Sequence, residues 1–273
     1  MTSDGPRGKD ETRWLIVGAD GQIGSALMNA LSQRGAAVLG TTRRPASGEA
    51  RLIFLDLAEP ELVLEPSTID VAVFCAGMTG FAACEADPVL SHRINVDGAV
   101  QVMDALAAAG VHVIYLSSNA VFDGSVAFVN VNAAPMPVSL YGRQKAQVEA
   151  HLTTRHPVSA SILRLTKVVG PNAPFIRTWT LALEQGQPIM AFENRLVCPV
   201  TEDAVVTAIR VIGQRRSAGL WQLSGEAEIS FAAFARQWFS GRPAALAAIQ
   251  ATQAPEVSSR RHGSMQTHLP QAP

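Results

Sequence analysis

The chain has 273 residues, of which 48% are hydrophobic, and 22 basic against 23 acidic side chains leave a formal net charge of −1. This composition excludes a disordered chain, and three cysteines are too few for a disulfide scaffold. Basic residues form no run longer than a pair, so charge gives no support for nucleic acid or an anionic membrane surface as a partner.

The amino-terminal segment, residues 1–12, is polar and of mixed charge, which predicts a flexible tail without an export signal. The longest strongly apolar run, at 71–78, is far below the roughly 18 residues that a membrane span needs. Cys75, Cys84 and Cys198 lack the spacing of zinc ligands. We therefore expect a cytoplasmic protein without a membrane partner, a disulfide or a bound metal.

From residue 13 onwards, apolar runs alternate with helix-like stretches. The predicted strands are 14–17, 37–41, 52–56, 71–77, 111–117 and 159–165. The predicted helices between them are 25–35, 91–110 and 141–155. Continuous apolar strands that alternate with helices indicate a parallel sheet covered on both faces. The sequence thus predicts a doubly wound α/β domain of the Rossmann type over residues 13–165.

Beyond residue 165 this alternation weakens, because four prolines between 171 and 199 interrupt it. A helix is predicted over 201–213 with Thr201 as its N-cap. A strand is predicted over 219–225, which could return to the main sheet, and the tail from Gln250 is expected to be loose. Residues 166–273 are interpreted as mainly a smaller substrate-binding region.

The first strand runs into the segment GADGQIG at 18–24, and a helix follows. Glycines here permit a tight turn and the close approach of a pyrophosphate to backbone N–H groups at the helix start. The GxxGxxG spacing differs from the usual GxGxxG, and a purely structural turn is the alternative. The position between strand and helix favours a dinucleotide-binding loop. The residues assigned to it are Gly18, Gly21, Gln22, Ile23 and Gly24.

The second strand is followed by arginines where NAD-binding proteins carry a carboxylate for the ribose 2′-hydroxyl. Thr42, Arg43 and Arg44 offer a hydroxyl and two guanidinium groups, which suit a 2′-phosphate. NADP(H) is therefore favoured, with NAD(H) possible. Solvated loop arginines are the alternative.

Tyr141 and Lys145 lie four residues apart, on one face of a predicted helix that begins near Ser139. The chain has only two tyrosines, so a chance pairing with one of its three lysines is improbable. A phenol is a weak acid–base catalyst near neutral pH, and a neighbouring ammonium lowers its pKa. The fifth strand ends in Ser117 and Ser118, either of which could donate a hydrogen bond to a substrate carbonyl.

Seven motifs, at 18–24, 56–57, 75–80, 94–98, 117–124, 141–145 and 162–171, occur in this order. Together they resemble an extended short-chain dehydrogenase/reductase, most closely the dTDP-4-dehydrorhamnose reductase branch of sugar-nucleotide enzymes. The resemblance selects Ser118 over Ser117, because the family's catalytic hydroxyl lies three residues before the valine of the VFDG segment. Ser118, Tyr141 and Lys145 then form the expected catalytic set, in which Tyr141 and Lys145 also contact the cofactor.

The resemblance also implies further cofactor contacts, made by Asp56, Leu57, Cys75, Ala76, Gly77 and Asn95. Asp56 could instead simply end a strand, and Asn95 could cap a turn. The family usually carries an aspartate and a tyrosine where this chain has Asn119 and Ala120, and its loop after the fourth strand also differs. Both departures concern the sugar pocket and leave the exact sugar open.

The substrate-binding candidates are Thr79, Ser118, Asn119, Arg177, Trp179 and Arg195. Trp179 and the two arginines are assigned to nucleotide stacking and diphosphate pairing, with a core tryptophan and surface arginines as the alternative. The six histidines (92, 112, 151, 156, 262 and 268) show no spacing typical of catalysis or metal binding.

The leading hypothesis is an NADP(H)-dependent reductase of a keto group on a nucleotide-linked deoxysugar, and a homodimer is compatible with it. One alternative is a nucleotide-sugar epimerase or dehydratase of the same fold. Another is a non-catalytic NADP-binding regulatory subunit, which resembles this branch but has no need of a proton donor.

Overall fold

The computed structural model describes residues 12–44, 51–254 and 262–271. The tail expected over 1–12 therefore lies outside the described residues, except for Thr12. The strands are β1 (Arg13–Val17), β2 (Ala37–Thr42), β3 (Leu52–Phe54), β4 (Val71–Phe74), β5 (His112–Ser118), β6 (Ala160–Leu165), β7 (Lys167–Val169), β8 (Ile189–Phe192), β9 (Leu196–Val197), β10 (Pro199–Thr201), β11 (Gly219–Leu223), β12 (Ile229–Ser230) and β13 (Ile249–Thr252). The α-helices are α1 (Gln22–Gln33), α2 (Phe81–Ala86), α3 (Pro88–His92), α4 (Ala99–Ala108), α5 (Leu140–Arg155), α6 (Pro174–Glu184), α7 (Glu202–Arg215), α8 (Phe231–Trp238) and α9 (Pro243–Ala248).

Seven strands form the central sheet, in the order β11-β6-β5-β4-β1-β2-β3. β1 pairs in parallel with both β2 and β4, and the sheet continues in parallel to β3 and β5. The strand order reverses at β1 and β4, which is the arrangement of a doubly wound sheet. The predicted Rossmann-like α/β fold is therefore confirmed. In the described residues, none of the helices combines the length and apolar character that a membrane crossing needs.

The chain divides into two compact units, each assembled from three stretches of sequence. The described residues of the first unit fall within Met1–Leu116, Ala150–Ile162 and Ile209–Gly219. Those of the second unit fall within Ser117–Glu149, Leu163–Ala208 and Leu220–Pro273. The assignment of cofactor binding to 13–165 and of substrate binding mainly to 166–273 remains a prediction.

In the first unit, the continuous apolar strands are buried as their composition predicts. All residues of β4 and most of β1 are buried. The helix predicted over 91–110 is instead interrupted, because a π-helical segment (Arg93–Gly98) separates α3 from α4. Gly98 lies against the backbone of Leu57, where a Cβ atom would collide with the Leu57 carbonyl. Such π segments often occur at functional sites, and this one carries Asn95.

In the second unit, the described parts of the tail from Gln250, residues 250–254 and 262–271, are ordered, which corrects the expectation of a loose tail for these residues. Residues Ile249–Thr252 form β13 and pair in parallel with β8. Farther along, Met265 is 1% exposed and packs in a cluster with Val121 and Phe122. These contacts join segments far apart in sequence, so local composition could not reveal them. The predicted N-cap is confirmed, since Thr201 Oγ1 accepts a hydrogen bond from the Ala204 amide at 3.2 Å.

Candidate functional site

The glycine-rich loop lies at the carboxyl end of β1, in the first unit. Gly18 has a φ of +84°, and a Cβ atom there would lie 2.8 Å from the backbone nitrogen of Ala76. Gly21 is the N-cap residue of α1, and Gly24 packs so closely that a Cβ atom would lie 2.9 Å from the Ala19 Cα. Glycines at 18 and 24 thus let the loop pack tightly, and the loop leads into a helix N-terminus, an arrangement that favours a phosphate and fits a dinucleotide.

The end of β2 holds this loop through hydrogen bonds. Thr41 Oγ1 accepts from the Gly18 amide at 3.1 Å, and the Thr41 carbonyl accepts from the Ala19 amide at 2.9 Å. Thr42 Oγ1 donates to Asp20 Oδ2 at 3.0 Å. Thr42 thus fixes the loop through Asp20, a residue that the sequence analysis did not single out.

The two arginines after β2 differ in their surroundings. Both are exposed, but Arg44 Nε lies 3.3 Å from Asp20 Oδ2. No residue of the described ranges makes a hydrogen bond or ion pair with the Arg43 side chain. Arg43 therefore offers the less neutralised guanidinium for an incoming anion.

Asn95 fixes the loop that follows β4. Its Oδ1 accepts from the Met78 amide at 2.7 Å, and its Nδ2 donates to the Met78 carbonyl at 2.9 Å. The amides of Cys75 and Ala76 both donate to the Val17 carbonyl at 2.9 Å. Gly77 and Thr79 are exposed on this loop. Asn95 thus supports the segment that was assigned to the cofactor.

Asp56 follows β3 and forms a local turn, because its Oδ1 accepts from the Ala58 amide at 2.9 Å. The predicted strand over 52–56 ends earlier, at Phe54. Leu57 is buried, 5% exposed. Asp56 thus forms a turn beyond the strand and does not end it, and its contact with an adenine stays a prediction.

In the second unit, the two serines at the end of β5 have different partners. Ser117 is 5% exposed and its Oγ donates to Glu149 Oε1 at 2.5 Å. Ser118 is half-buried, and its Oγ accepts from the Ala120 amide at 3.1 Å and donates to Asn119 Oδ1 at 3.3 Å. Ser117 thus belongs to a buried network, whereas among the described residues the Ser118 hydroxyl bonds only to its neighbours Asn119 and Ala120.

That network is centred on a buried ion pair. Arg164 Nη2 lies 2.6 Å from Glu149 Oε2, and the two side chains are 2% and 5% exposed. The guanidinium also donates to the Val131 carbonyl at 3.2 Å and stacks over the Phe122 ring at 4.9 Å. A buried charge pair requires such additional partners, because both charges lose their hydration. The pair anchors Ser117 and so the end of β5.

Tyr141 and Lys145 lie in the first turns of α5, where they were predicted. Ser139 Oγ accepts from the Gly142 amide at 3.1 Å, as expected for the start of this helix. Tyr141 is 8% and Lys145 6% exposed, and the lysine Nζ lies 5.6 Å from the centroid of the tyrosine ring. A Cβ atom on Gly142 would collide with the Ala120 carbonyl. Glycine therefore lets the start of α5 approach the segment after Ser118.

The carboxy-terminal segment reaches the same region. Asn119 Nδ2 donates to the Gly263 carbonyl at 2.6 Å. Glu228 Oε1 accepts from the amides of Gly263 and Ser264 at 2.8 and 2.9 Å, and its Oε2 lies 2.8 Å from His262 Nδ1. The sequence analysis missed Glu228, Gly263 and Ser264, and no local motif could have found them, because Asn119 and Gly263 are 144 positions apart.

The three candidates for nucleotide binding in the second unit differ in burial and in their contacts. Trp179 is 6% exposed in the hydrophobic core, with its ring 5.2 Å from that of Phe175, which favours the core alternative, and its assignment to base stacking stays a prediction. Arg177 is exposed on α6. Arg195 is half-buried over the Phe192 ring at 5.6 Å, and its buried Nε has no hydrogen-bond partner among the described residues. Arg195 therefore retains the stronger case for an anionic ligand.

The histidines, which showed no significant spacing in the sequence, have partners in the structure. His151 and His156 both contact Asp104, and His92 contacts Asp97. His112 is 3% exposed, with Nε2 2.7 Å from Ser161 Oγ. Burial, together with the charge of Arg216, lowers the pKa of His112 to about 4.

Comparisons with known proteins agree with this architecture. The family described as RmlD substrate binding domain matches residues 12–269. A dTDP-4-dehydrorhamnose reductase from Sinorhizobium fredii is 30% identical over 243 residues, which are 84% of this chain and 77% of that protein. A methionine adenosyltransferase 2 subunit beta from Xenopus laevis is 28% identical over 159 residues, 58% of this chain and 47% of that protein.

Among solved structures, dTDP-4-dehydrorhamnose reductase from Bacillus anthracis in complex with NADP superposes with a TM-score of 0.79 at 20% identity. The superposition covers 94% of this chain and 91% of that one, and it supports the fold. The resemblance drawn from the sequence motifs is thus confirmed: the chain belongs to the RmlD substrate binding domain family, which joins it to the dTDP-4-dehydrorhamnose reductases.

Proposed function

We propose that the protein is an NADP(H)-dependent reductase that converts the keto group of a nucleotide-linked deoxysugar to a hydroxyl. The observation that carries this proposal is the presence of Ser118, Tyr141 and Lys145 in one compact unit, in a chain of this family. The relative from Sinorhizobium fredii, named for reduction of dTDP-4-dehydrorhamnose, points to the same class of substrate.

The first unit would hold the cofactor. The backbone of Gly18–Gly24 and the N-terminus of α1 would bind its pyrophosphate, because helix N-terminal amides favour anions. Arg43 would pair with the 2′-phosphate of NADP(H), and Thr42 would fix the loop through Asp20. NAD(H) lacks that phosphate and would bind more weakly. The cofactor, when bound, supplies the hydride.

The second unit would supply the proton. Tyr141 would donate its phenolic proton to the keto oxygen as that oxygen gains negative charge. Lys145 would stabilise the resulting phenolate, since its ammonium lies close to the Tyr141 ring. Ser118 would donate a hydrogen bond to the same oxygen and polarise the carbonyl. Ser117 is less suited to this role, because its hydroxyl proton is already donated to buried Glu149.

Substrate contacts beyond the keto group would involve Thr79, Asn119, Arg177 and Arg195. A half-buried guanidinium with an unsatisfied Nε, as in Arg195, is suited to a diphosphate oxygen. Asn119 stands where the family usually has aspartate, and its amide is already bonded to Gly263. The nucleobase and the sugar are therefore to be found by experiment.

The test is a panel of 4-keto-6-deoxy sugar nucleotides incubated with NADPH, with absorbance at the nicotinamide band and product analysis. We expect one NADPH to be consumed for each keto-sugar reduced, because a reductase has no second half-reaction that restores its cofactor. Product formation without net loss of NADPH would instead identify an epimerase.

A second candidate is a non-catalytic NADP-binding subunit, which the similarity to the Xenopus methionine adenosyltransferase subunit favours. It predicts NADPH binding but no turnover with any member of the panel. A partner-dependent change in a methionine adenosyltransferase would then support it.

A further inference from the structure

Three side chains that the proposed reaction does not use converge in the first unit. Asp104 lies on α4, His151 near the end of α5, and His156 just after α5. His151 Nε2 and His156 Nε2 lie 2.8 and 2.6 Å from the same oxygen, Asp104 Oδ1. One candidate ligand atom from each side chain lies within 4.8 Å of the other two.

Two imidazoles and one carboxylate form a donor set typical of transition-metal sites. Imidazole nitrogen suits zinc, nickel and copper, whereas magnesium and calcium prefer oxygen ligands alone. Metal–ligand distances of about 2.0–2.2 Å place neighbouring tetrahedral ligands roughly 3.4 Å apart. The candidate ligand atoms are now 2.6, 2.8 and at most 4.8 Å apart, so the three side chains would reach that spacing by movements of about 1 Å.

The exposure of the cluster also suits an ion that enters from solvent. The side chains of Asp104, His151 and His156 are 40%, 27% and 17% exposed. They are thus held in place by the surrounding fold, yet water can reach them and complete the coordination.

We propose that Asp104, His151 and His156 form a binding site for a divalent transition metal, with zinc as the expected ion and water as the remaining ligand. A metal at this position links α4 to the end of α5. It therefore stabilises the first unit by mass action, without taking part in hydride or proton transfer.

The test uses full-length protein treated with a chelator and then dialysed against zinc, with bound metal measured by mass spectrometry. We expect one equivalent of zinc and a melting temperature that rises with zinc concentration. Cobalt provides a second probe: visible d–d bands of nitrogen and oxygen ligation should appear without a thiolate charge-transfer band, which excludes Cys75, Cys84 and Cys198 as ligands.

The informative variants are Asp104→Asn and His151→Gln, which keep hydrogen-bonding capacity but remove a ligand. Each should weaken zinc binding by at least about tenfold, since even outer-shell changes cost 10–100-fold. The matched control is His92→Gln, because among the described residues His92 pairs with one carboxylate, that of Asp97 at 3.2 Å. It should bind zinc like the unmodified protein.

Metal-free melting curves of the three variants check that each one folds. Absence of a bound equivalent would overturn the proposal, and so would undiminished zinc binding by Asp104→Asn. The cluster would then be a hydrogen-bonded group that stabilises the helix ends only.

Discussion

The glycine loop of the first unit and the Ser118–Asn119 segment of the second are both assigned to the reaction, but they are built differently. The loop is one short stretch of sequence, and its main anchor, Thr41, lies 23 positions away. The end of β5 is held by Glu149 through Ser117, and the next residue, Asn119, is held by Gly263, 144 positions away. A contiguous motif tolerates changes elsewhere in the chain, whereas an assembled site depends on distant residues.

The largest expected effect is on proton transfer in the assembled site. Tyr141→Phe removes only the hydroxyl, so kcat should fall by about 10²–10⁴-fold while NADPH affinity stays nearly unchanged. Turnover and a fluorescence titration with NADPH measure the two quantities. Tyr115→Phe is the matched control, because Tyr115 is the other tyrosine of the chain and is buried in β5. Near-normal turnover of Tyr141→Phe would contradict the mechanism.

The second-largest expected effect is a loss of stability when the buried carboxylate of Glu149 is removed. Glu149→Ala leaves Arg164 as an uncompensated buried charge and should lower the free energy of unfolding by about 3–5 kcal/mol. Denaturant titration measures this loss. The double variant Glu149→Ala, Arg164→Met should recover part of it, since no charge is then left without a partner. Equal stability of the single variant and the unmodified protein would show that the pair does not hold this region.

A smaller effect is expected from pH in the first unit. The unfolded chain protonates His112 below about pH 6.5, whereas the folded protein keeps it neutral down to about pH 4. Protonation therefore favours the unfolded chain, so the free energy of unfolding should rise with pH between about 4 and 6.5. Denaturant titrations at several pH values should show a shallower rise for His112→Gln. An unchanged slope in that variant would assign the pH dependence to other groups.

The cofactor site proposed for the first unit can be tested by comparing the binding of NADPH and NADH. Arg43→Ala should weaken NADPH binding by one to two decades and leave NADH binding unchanged, because only NADPH carries the 2′-phosphate. Arg44→Ala should cost less, since Asp20 already neutralises part of its charge. Equal affinities of the unmodified protein for NADPH and NADH would refute the predicted preference.

The smallest effect concerns the carboxy-terminal segment. Asn119→Ala loses the hydrogen bond to the Gly263 carbonyl and should lower the free energy of unfolding by about 0.5–1.5 kcal/mol. Asn130→Ala serves as the control, because its bond to Gln266 joins the same segment at an exposed position. We expect the free energy of unfolding to fall less for Asn130→Ala than for Asn119→Ala. A larger fall for Asn130→Ala would mean that the carboxy-terminal segment is held chiefly by its exposed contacts.

The sequence by itself determined the features that depend on local pattern. Alternating apolar runs predicted the parallel sheet, the glycine spacing predicted the loop after β1, and the four-residue separation placed Tyr141 and Lys145 together on α5. These predictions succeeded because strand burial, helix periodicity and glycine geometry are set by neighbouring residues. The hydrogen bonds of Asn95 to Met78 were not foreseen, and its assignment to the cofactor site through the family resemblance stays a prediction.

Only the tertiary structure decided which distant residues meet. It placed Trp179 in the core, paired Arg44 with Asp20, brought His151 and His156 to Asp104, and laid the segment around Gly263 against Asn119. It also showed that Ser117 and Ser118, adjacent residues of the same type, have different hydrogen-bond partners. Such contacts arise when packed elements bring side chains together, and the free energy of that packing is not encoded in any short stretch of the chain.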